Sequence, residues 1–388
     1  MKDTAISKSV VYIGVDDHDL DLFESQYDVP NGMAYNSYVV LDDKIAVMDT
    51  VDSRFSDEWL GNLEAALGGK TPDYLVVQHV EPDHSGSIAA ITAKFPGITI
   101  VGNAKTFAML GQFYPGLADG FEKITVAEGD TLELGEHTLK FFMTPMIHWP
   151  EVMMTYEESE KIFFSADAFG KFGTLDTDED WACEARRYYF NICGKYGVQV
   201  QNLLKKAAAL EIKMILPLHG PLLKDNLSYY IGLYDTWSKY EPENKGIFIA
   251  CASIHGNTLK AAEKLKTMLE EKGAEKVSLS DITREDMAEA IEDAFRYDRL
   301  VLMASSYDGG VFPVMEDFLC HLKAKTYRSR KVAVVENGSW APSAGRIIKG
   351  YLEQMKDITL VEPVVTIRSS LNAASEAALA ALADELVK

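Results

Sequence analysis

At 388 residues, with 47% hydrophobic and 25% charged side chains, the chain is about two to three typical domains long. It is apolar enough to bury a sizeable core in each, which excludes wholesale disorder. Lys and Arg number 38 against 59 Asp and Glu, a net charge of −21, so nucleic acid and anionic membrane surfaces, which need a positive face, are not expected partners.

The N-terminal stretch carries Asp16, Asp17, Asp19 and Asp21 where a signal peptide needs an apolar core. No run of roughly 18 apolar residues occurs, so no membrane-spanning helix is predicted. The four cysteines, Cys183, Cys193, Cys251 and Cys320, form no CxxC pair. That usage fits a reducing cytoplasm and argues against a four-cysteine zinc or rubredoxin-type iron site.

Residues 38–41 and 44–48 read as two strands about the acidic turn Asp42-Asp43. Strands are also predicted at 74–77, 98–101, 139–143, 162–165 and 214–217, with helices at 59–67 and 198–210. The strand at 74–77 runs into a loop holding His79, Glu81, Asp83 and His84, four potential ligands within six residues. Read alone, this is either a solvated polar turn or a metal-binding loop, and so dense a set of ligands favours the metal. Three more candidates sit just beyond strand ends, where loop residues converge on a site: His148 in 145–150, Asp167 in 164–170 and His219 in 217–221. His18 and His137 lie in acidic or turn-like surroundings and read as surface residues, and His321 as a structural residue of a helix.

A polar stretch with a proline, residues 240–245, marks a domain boundary and divides the chain into 1–245 and 246–388. The first part holds 20 Lys/Arg and 38 Asp/Glu, net −18; the second holds 18 and 21, net −3. In the second part strands at 247–251, 276–279, 299–303, 331–335 and 359–361 alternate with helices at 258–271, 285–294, 313–322, 343–355 and 375–387. Such alternation predicts a doubly wound parallel sheet of flavodoxin-like size.

Three loops at one edge of that sheet form a second site. Ser253, Ile254, His255, Gly256, Asn257 and Thr258 bring hydroxyls and backbone N–H groups to a helix N-terminus, an anion site suited to a phosphate monoester. By itself the segment also reads as a helix cap with a glycine turn. Ser305, Ser306, Tyr307, Asp308, Gly309 and Gly310 follow the third strand, and Asn337, Gly338, Ser339 and Trp340 the fourth. Tyr307 and Trp340 supply flat faces, and the glycines let N–H groups approach a heteroaromatic edge. Together the loops resemble the FMN site of flavodoxins; no GxGxxG dinucleotide motif is present.

The metal motif resembles the metallo-β-lactamase fold, whose dinuclear site reads HxHxDH followed by His, Asp and His. Here Glu81 replaces the second His, and a carboxylate-rich set with imidazoles suits iron better than a hydrolytic dizinc pair. With the flavin loops, the chain resembles the flavodiiron proteins over essentially its whole length, from Asn36-Ser37-Tyr38 and Met48-Asp49-Thr50-Val51 to the last helix. The resemblance implies an α/β fold, with an N-terminal metallo-β-lactamase-like αββα sandwich and a C-terminal flavodoxin-like doubly wound sheet. It implies His79, Glu81, Asp83, His148, Asp167 and His219 as iron ligands. His84 matches a position that ligates in some members and is displaced in others. Arg187–Ile192 resembles a helix segment near the family's site, with simple helix packing as the alternative. The third loop departs from the family's Gly-Ser-Tyr-Gly-Trp, reading Gly-Ser-Trp-Ala-Pro.

The resemblance further implies a cytoplasmic reductase of O2 to water or NO to N2O that passes electrons from FMN to a non-haem diiron centre. It also implies a head-to-tail homodimer or a homotetramer. With no rubredoxin or flavin-reductase segment after residue 388, a separate donor such as rubredoxin is expected. Two alternatives stand beside it. One is a dinuclear metal-dependent hydrolase with an accessory flavodoxin-like domain; the other is a non-enzymatic electron carrier or redox sensor.

Overall fold

The acidic turn does join two antiparallel strands, Tyr38–Val40 and Ala46–Met48, with Val39 opposite Val47. They lie inside a six-stranded mixed sheet that runs Val10–Tyr12, Tyr38–Val40, Ala46–Met48, Tyr74–Val76, Thr99–Gly102 and Glu122–Thr125. A second sheet runs Thr131–Glu133, Thr138–Met143, Met153–Glu157, Ile162–Phe164 and Met214–Leu216. Tyr38, Met48, Val76 and Val101 of the first sheet share one core with Leu139, Phe141, Ile162 and Leu216 of the second. Helices such as Ser56–Leu67, which buries Trp59, Leu63 and Leu67, complete an αββα sandwich. The computed structural model describes residues 4–117 and 120–388. It divides into one unit through Tyr189 with Val198–Tyr234 and a second of Phe190–Gly197 with Asp235–Lys388.

One local expectation is corrected. Asp83 and His84 do not lie on an open loop, because Pro82–Ser85 forms a single helical turn. Pro82 occupies its first position, where a fixed φ is favourable and no N–H is missed. The backbone N–H groups of His84 and Ser85 both donate to the Glu81 carbonyl at 2.9 Å, so Asp83 and His84 are carried on a rigid turn. The short pair Leu22–Phe23 and Tyr27–Asp28 and the strand Val15–Asp17 are additions in an acid-rich segment.

The second unit holds five parallel strands in the order Val277–Asp281, Asn244–Ala252, Tyr297–Tyr307, Lys331–Asn337 and Thr359–Ile367. In chain order this is 2-1-3-4-5, the doubly wound flavodoxin-like arrangement. Both faces are covered, which explains the continuous apolar strands. Ile247, Ile249, Cys251, Val301 and Met303 pack against Leu265 and Leu269 of helix Asn257–Glu271 and Leu379 and Leu382 of helix Ala373–Leu386. The alternate residues Phe248, Ala250, Leu300 and Leu302 are equally buried. The chain reverses between the first and third strands, where such sheets bind ligands beyond their carboxyl ends. The loops at 253–258 and 305–310 flank that switch point. Ser305–Tyr307 and Asn337 belong to the strands rather than to loops; Tyr307 pairs with Gly310, so Asp308-Gly309 forms a tight turn.

Candidate metal centre and cofactor cavity

The turns after four separate strands bring all seven sequence-identified metal candidates into two adjoining groups: His79, Glu81, His148 and Asp167, and Asp83, His84 and His219. Every one of them is buried. In the first group His148 Nε2 lies 3.0 Å from Glu81 Oε2 and 3.0 Å from Asp167 Oδ2, and His79 Nε2 lies 3.2 and 3.4 Å from the same two oxygens. In the second, Asp83 Oδ2 is 3.3 Å from the Nε2 atoms of both His84 and His219. Asp167 presents its other oxygen, Oδ1, to this group, at 3.2 Å from His84 and 3.9 Å from His219. One carboxylate therefore serves both groups, an oxygen to each. His84 Nε2 points into the cluster, 3.0 Å from His219 Nε2.

The turns that carry these residues are strained and braced. Asp49, Met146 and Ala166 adopt positive φ of 53°, 68° and 47° without being glycine, a conformation held only by its surroundings. The buried Asp49 carboxylate accepts hydrogen bonds from the backbone N–H of Gln78 (2.7 Å), the Gln78 amide (2.9 Å) and the backbone N–H of His79 (3.2 Å), which sets the start of the ligand turn. Burial pushes its pKa up to about 6 against those donors. The Asn36 amide donates to the carbonyls of Pro217 and Gly220 at 2.9 and 2.7 Å, and the Tyr38 hydroxyl to Pro217 at 2.7 Å, fixing the His219 turn.

The imidazoles are oriented through their far nitrogens, as metal-bound histidines are. His79 Nδ1 donates to Glu151 Oε1 at 2.8 Å, and the Val80 N–H donates to the same oxygen at 2.9 Å. His219 Nδ1 donates to the Ala34 carbonyl at 2.8 Å. Both tautomers leave Nε2 turned to the cluster with its lone pair. Phe23, Tyr35 and Tyr188 surround the His219 ring at 5.4, 6.1 and 5.6 Å between centroids, and Trp149 meets His79 edge-on at 5.3 Å. Glu151 and Trp149 went unrecognised in the sequence, where one acid among many or one aromatic beside a histidine carries no signal, and Asp49 stood out only as part of the motif 48–51, without its bracing role.

The residues fit a pair of metal ions. All four carboxylate oxygens of Asp83 and Asp167 are buried without a hydrogen-bond donor, an expensive arrangement unless cations meet them. Nitrogen atoms only 3.0 to 3.4 Å apart across His84–His219 and His79–His148 also need a shared electrophile. Burial would lower the His148 pKa, but the Asp167 and Glu81 carboxylates push it up to about 9. Against burial, His79 and His84 hold Asp167 well below the usual carboxylate range. Protons and metal ions thus compete for the same atoms.

Of the other histidines, His18 is exposed, 3.7 Å from Asp176, and His321 is half-buried on helix Pro313–Ala324. His137 is a correction. It is not a surface residue but is 6% exposed, with Nδ1 at 2.8 Å from Asp42 and Nε2 at 3.3 Å from Glu160. Arg187 packs its guanidinium 4.5 Å over Phe172 and donates to the Asp28 carbonyl. Phe190–Ile192 belong to the second unit, where Phe190 stacks on Phe295 at 4.3 Å and the Asn191 amide donates to Ala288.

In the second unit a cavity of about 570 Å³ opens beyond the strand ends. Every sequence-identified position except Gly256 and Gly310 lines it, and Ala341, Ser343 and Ser369 join them. Gly256 instead turns the chain, at φ 82°, into helix Asn257–Glu271, whose N-terminus has no side-chain cap. The Ser253 hydroxyl beside it is buried without a partner. An uncapped helix start and an orphaned hydroxyl fit a phosphate monoester. Thr258 and Ser305 hydroxyls share a 2.9 Å hydrogen bond, and the Asn337 amide donates to Thr258 at 3.2 Å, so the floor of the cavity is a connected polar network. A Cβ on Gly338 would come within 2.9 Å of Pro342 and 3.0 Å of Ser306 Oγ, so that loop closes only around glycine.

A dinuclear-type ligand cluster on an αββα sandwich, joined to a flavodoxin-like unit with a mononucleotide-sized cavity, defines a two-cofactor redox protein of metallo-β-lactamase and flavodoxin parts. The family model described as ODP family beta lactamase matches residues 33–220. A protein from Aliivibrio fischeri named anaerobic nitric oxide reductase flavorubredoxin is 28% identical over 347 residues, covering 86% of this chain and 69% of that protein. The crystal structure of the flavodiiron protein from Giardia intestinalis superposes with a TM-score of 0.90 at 25% identity, covering 100% of this chain and 96% of that one. Rubredoxin oxygen:oxidoreductase from Desulfovibrio gigas shares the fold at a TM-score of 0.91 and 23% identity, over 99% of this chain and 97% of that one. In sequence and in fold the chain is similar to flavodiiron proteins over nearly its whole length.

Proposed function

We propose that the chain is an oxidoreductase that reduces O2 to water, NO to N2O, or both, with electrons entering from an external donor. The observation that carries this reading is the double ligand cluster centred on Asp167, on the same chain as a cavity shaped for a flavin mononucleotide. When bound, FMN would supply one- and two-electron transfer and a diiron pair would supply binding and activation of the diatomic molecule. His79, Glu81 and His148 would hold one metal and Asp83, His84 and His219 the other, with Asp167 presenting one oxygen to each group. Glu151 keeps the Nε2 atom of His79 available. The aromatic rings around His219 keep water from the ligands. Ser253, the N–H groups at Asn257 and Thr258 and the floor of Ser305 and Asn337 receive the phosphate end of the flavin. Glu81, anionic where a hydrolytic site would carry imidazole, disfavours the hydrolase alternative.

We further infer a diiron domain over 1–245 and an FMN domain over 246–388, a cytoplasmic location, a rubredoxin-like donor, and a head-to-tail homodimer or homotetramer. The similarity to a flavorubredoxin supports the choice of donor. The test is consumption of O2 and of NO at electrodes by anaerobically purified protein supplied with reduced rubredoxin. Turnover of at least one gas is expected; no consumption of either by protein loaded with iron and FMN would refute the reading.

A further inference from the structure

The hairpin that pairs Leu22–Phe23 with Tyr27–Asp28 is anchored on the metal cluster. Phe23 and Tyr27 are buried, and the Phe23 ring meets His219 at 5.4 Å and Phe172 at 5.7 Å between centroids. Arg187 holds the returning strand by donating to the Asp28 carbonyl at 2.8 Å. The Gln26 N–H donates to the Phe23 carbonyl at 3.1 Å and closes a β-turn whose central residues, Glu24 and Ser25, both have positive φ, 48° and 58°. Such a turn ordinarily takes glycine or asparagine, so this one is strained and kept in place by its packed base.

The turn delivers the Glu24 carboxylate to the open side of the cluster. Of the seven ligand side chains, Glu81 and Asp83 reach solvent most, 11% each, against 6% for His148 and none for the other four. Those three are the charged groups that act on Glu24. Crowding by the surrounding protein and then the Glu81 carboxylate, with Asp83 adding to them, raise its pKa, while the His148 imidazole and the Gln26 amide lower it. Glu24 itself is open to solvent and accepts a hydrogen bond from the Gln26 amide at 3.1 Å. It therefore faces both groups of the cluster without belonging to either.

Two iron ions carry more positive charge than the carboxylates of Glu81, Asp83 and Asp167 neutralise, and such a centre draws anions from solution. O2 and NO are neutral and gain nothing from that attraction. We propose that Glu24 is a specificity-determining residue, a fixed negative charge at the mouth of the metal pair that turns away small anions and admits neutral diatomic molecules. The proposal rests on the metal reading above. A repulsive element against the wrong ligand discriminates where the right one offers few contacts to recognise.

The test is binding of azide to iron-loaded, oxidised full-length protein, followed by its ligand-to-iron absorption band above the carboxylate pH range. Binding of NO to the reduced protein is the neutral control. Wild type, Glu24→Gln and Glu24→Asp are compared at low and at high salt. Glu24→Gln keeps the shape of an exposed side chain and removes only its charge. It should bind azide roughly three- to tenfold more tightly than wild type, with the difference shrinking at high salt. Glu24→Asp should stay close to wild type, and the NO affinity of all three proteins should agree within about twofold. Equal azide affinity in wild type and Glu24→Gln would overturn the proposal, as would an equal gain for azide and NO, which would make Glu24 a steric plug. Loss of iron from Glu24→Gln alone would also overturn it, by showing Glu24 to be a ligand. Failure of the wild type to hold iron would instead overturn the metal reading and the proposal with it.

Discussion

In the sandwich unit, buried side chains from turns as far apart as residues 79 and 219 meet at a single carboxylate; in the other unit, three strand ends of one regular sheet open a cavity of about 570 Å³ to solvent. The first site is made of long-range contacts, left-handed turns and hydrogen bonds accepted by Glu151 from the far side of His79 and by Asp49 from the start of the ligand turn. The second is made of local units, each a strand followed by a short turn, with small hydroxyls at its base and an exposed indole at its lip. The difference follows from what each must hold. A pair of cations requires desolvated, fixed, mutually repelling ligands, which only a rigid surround can keep together. A mononucleotide requires backbone N–H groups, a helix start and a flat apolar face, which the edge of a doubly wound sheet supplies by its geometry.

If the two sites are built so independently, they should fail independently. The largest effect is expected from Asp167→Ala, which removes an oxygen from each metal position. Iron content should fall from about two per chain to near zero while flavin stays near one, as elemental analysis and flavin release would show. Loss of flavin together with iron would break the comparison. Glu151→Gln keeps the shape but weakens the acceptor that orients His79, and should lower metal affinity roughly 10- to 100-fold in chelator competition, again with FMN binding unchanged. On the other side, Ser253→Ala removes the orphaned hydroxyl and should weaken FMN binding roughly three- to tenfold, about 1 kcal/mol, with metal content intact.

The smallest effect lies away from both sites. Against its burial, His137 has its pKa raised above 6.5 by Asp42, Glu157 and Glu160. Its proton is thus held more tightly in the folded chain, so the stability it contributes is complete below the ordinary imidazole range and is lost as pH rises through the raised value. His137→Gln should therefore destabilise the chain by about 0.5–1 kcal/mol at pH 5.5 and by less at pH 9, measured by urea unfolding. An equal or larger loss at pH 9 would show that packing alone is at stake.

The same contrast explains what could be read from the amino-acid sequence. Helices and strands of the second unit alternate at regular intervals, and both faces of its strands are apolar, so the sheet and its three loops stand out. In the sandwich, short apolar runs reveal most central strands and place His79, His148, Asp167 and His219 at their ends. Glu151 gives no signal because its role comes from a contact with His79 across 72 positions. The hairpin at 22–28 and the strand at 15–17 hide in an acidic segment without clean alternation. His137 reads as exposed because the Asp42 that buries it lies 95 positions away in the chain.

The most direct test is metal and flavin content per chain in protein purified anaerobically. The account predicts two irons and one FMN per chain. Two zincs with no flavin would contradict it and put the metal-dependent hydrolase in its place.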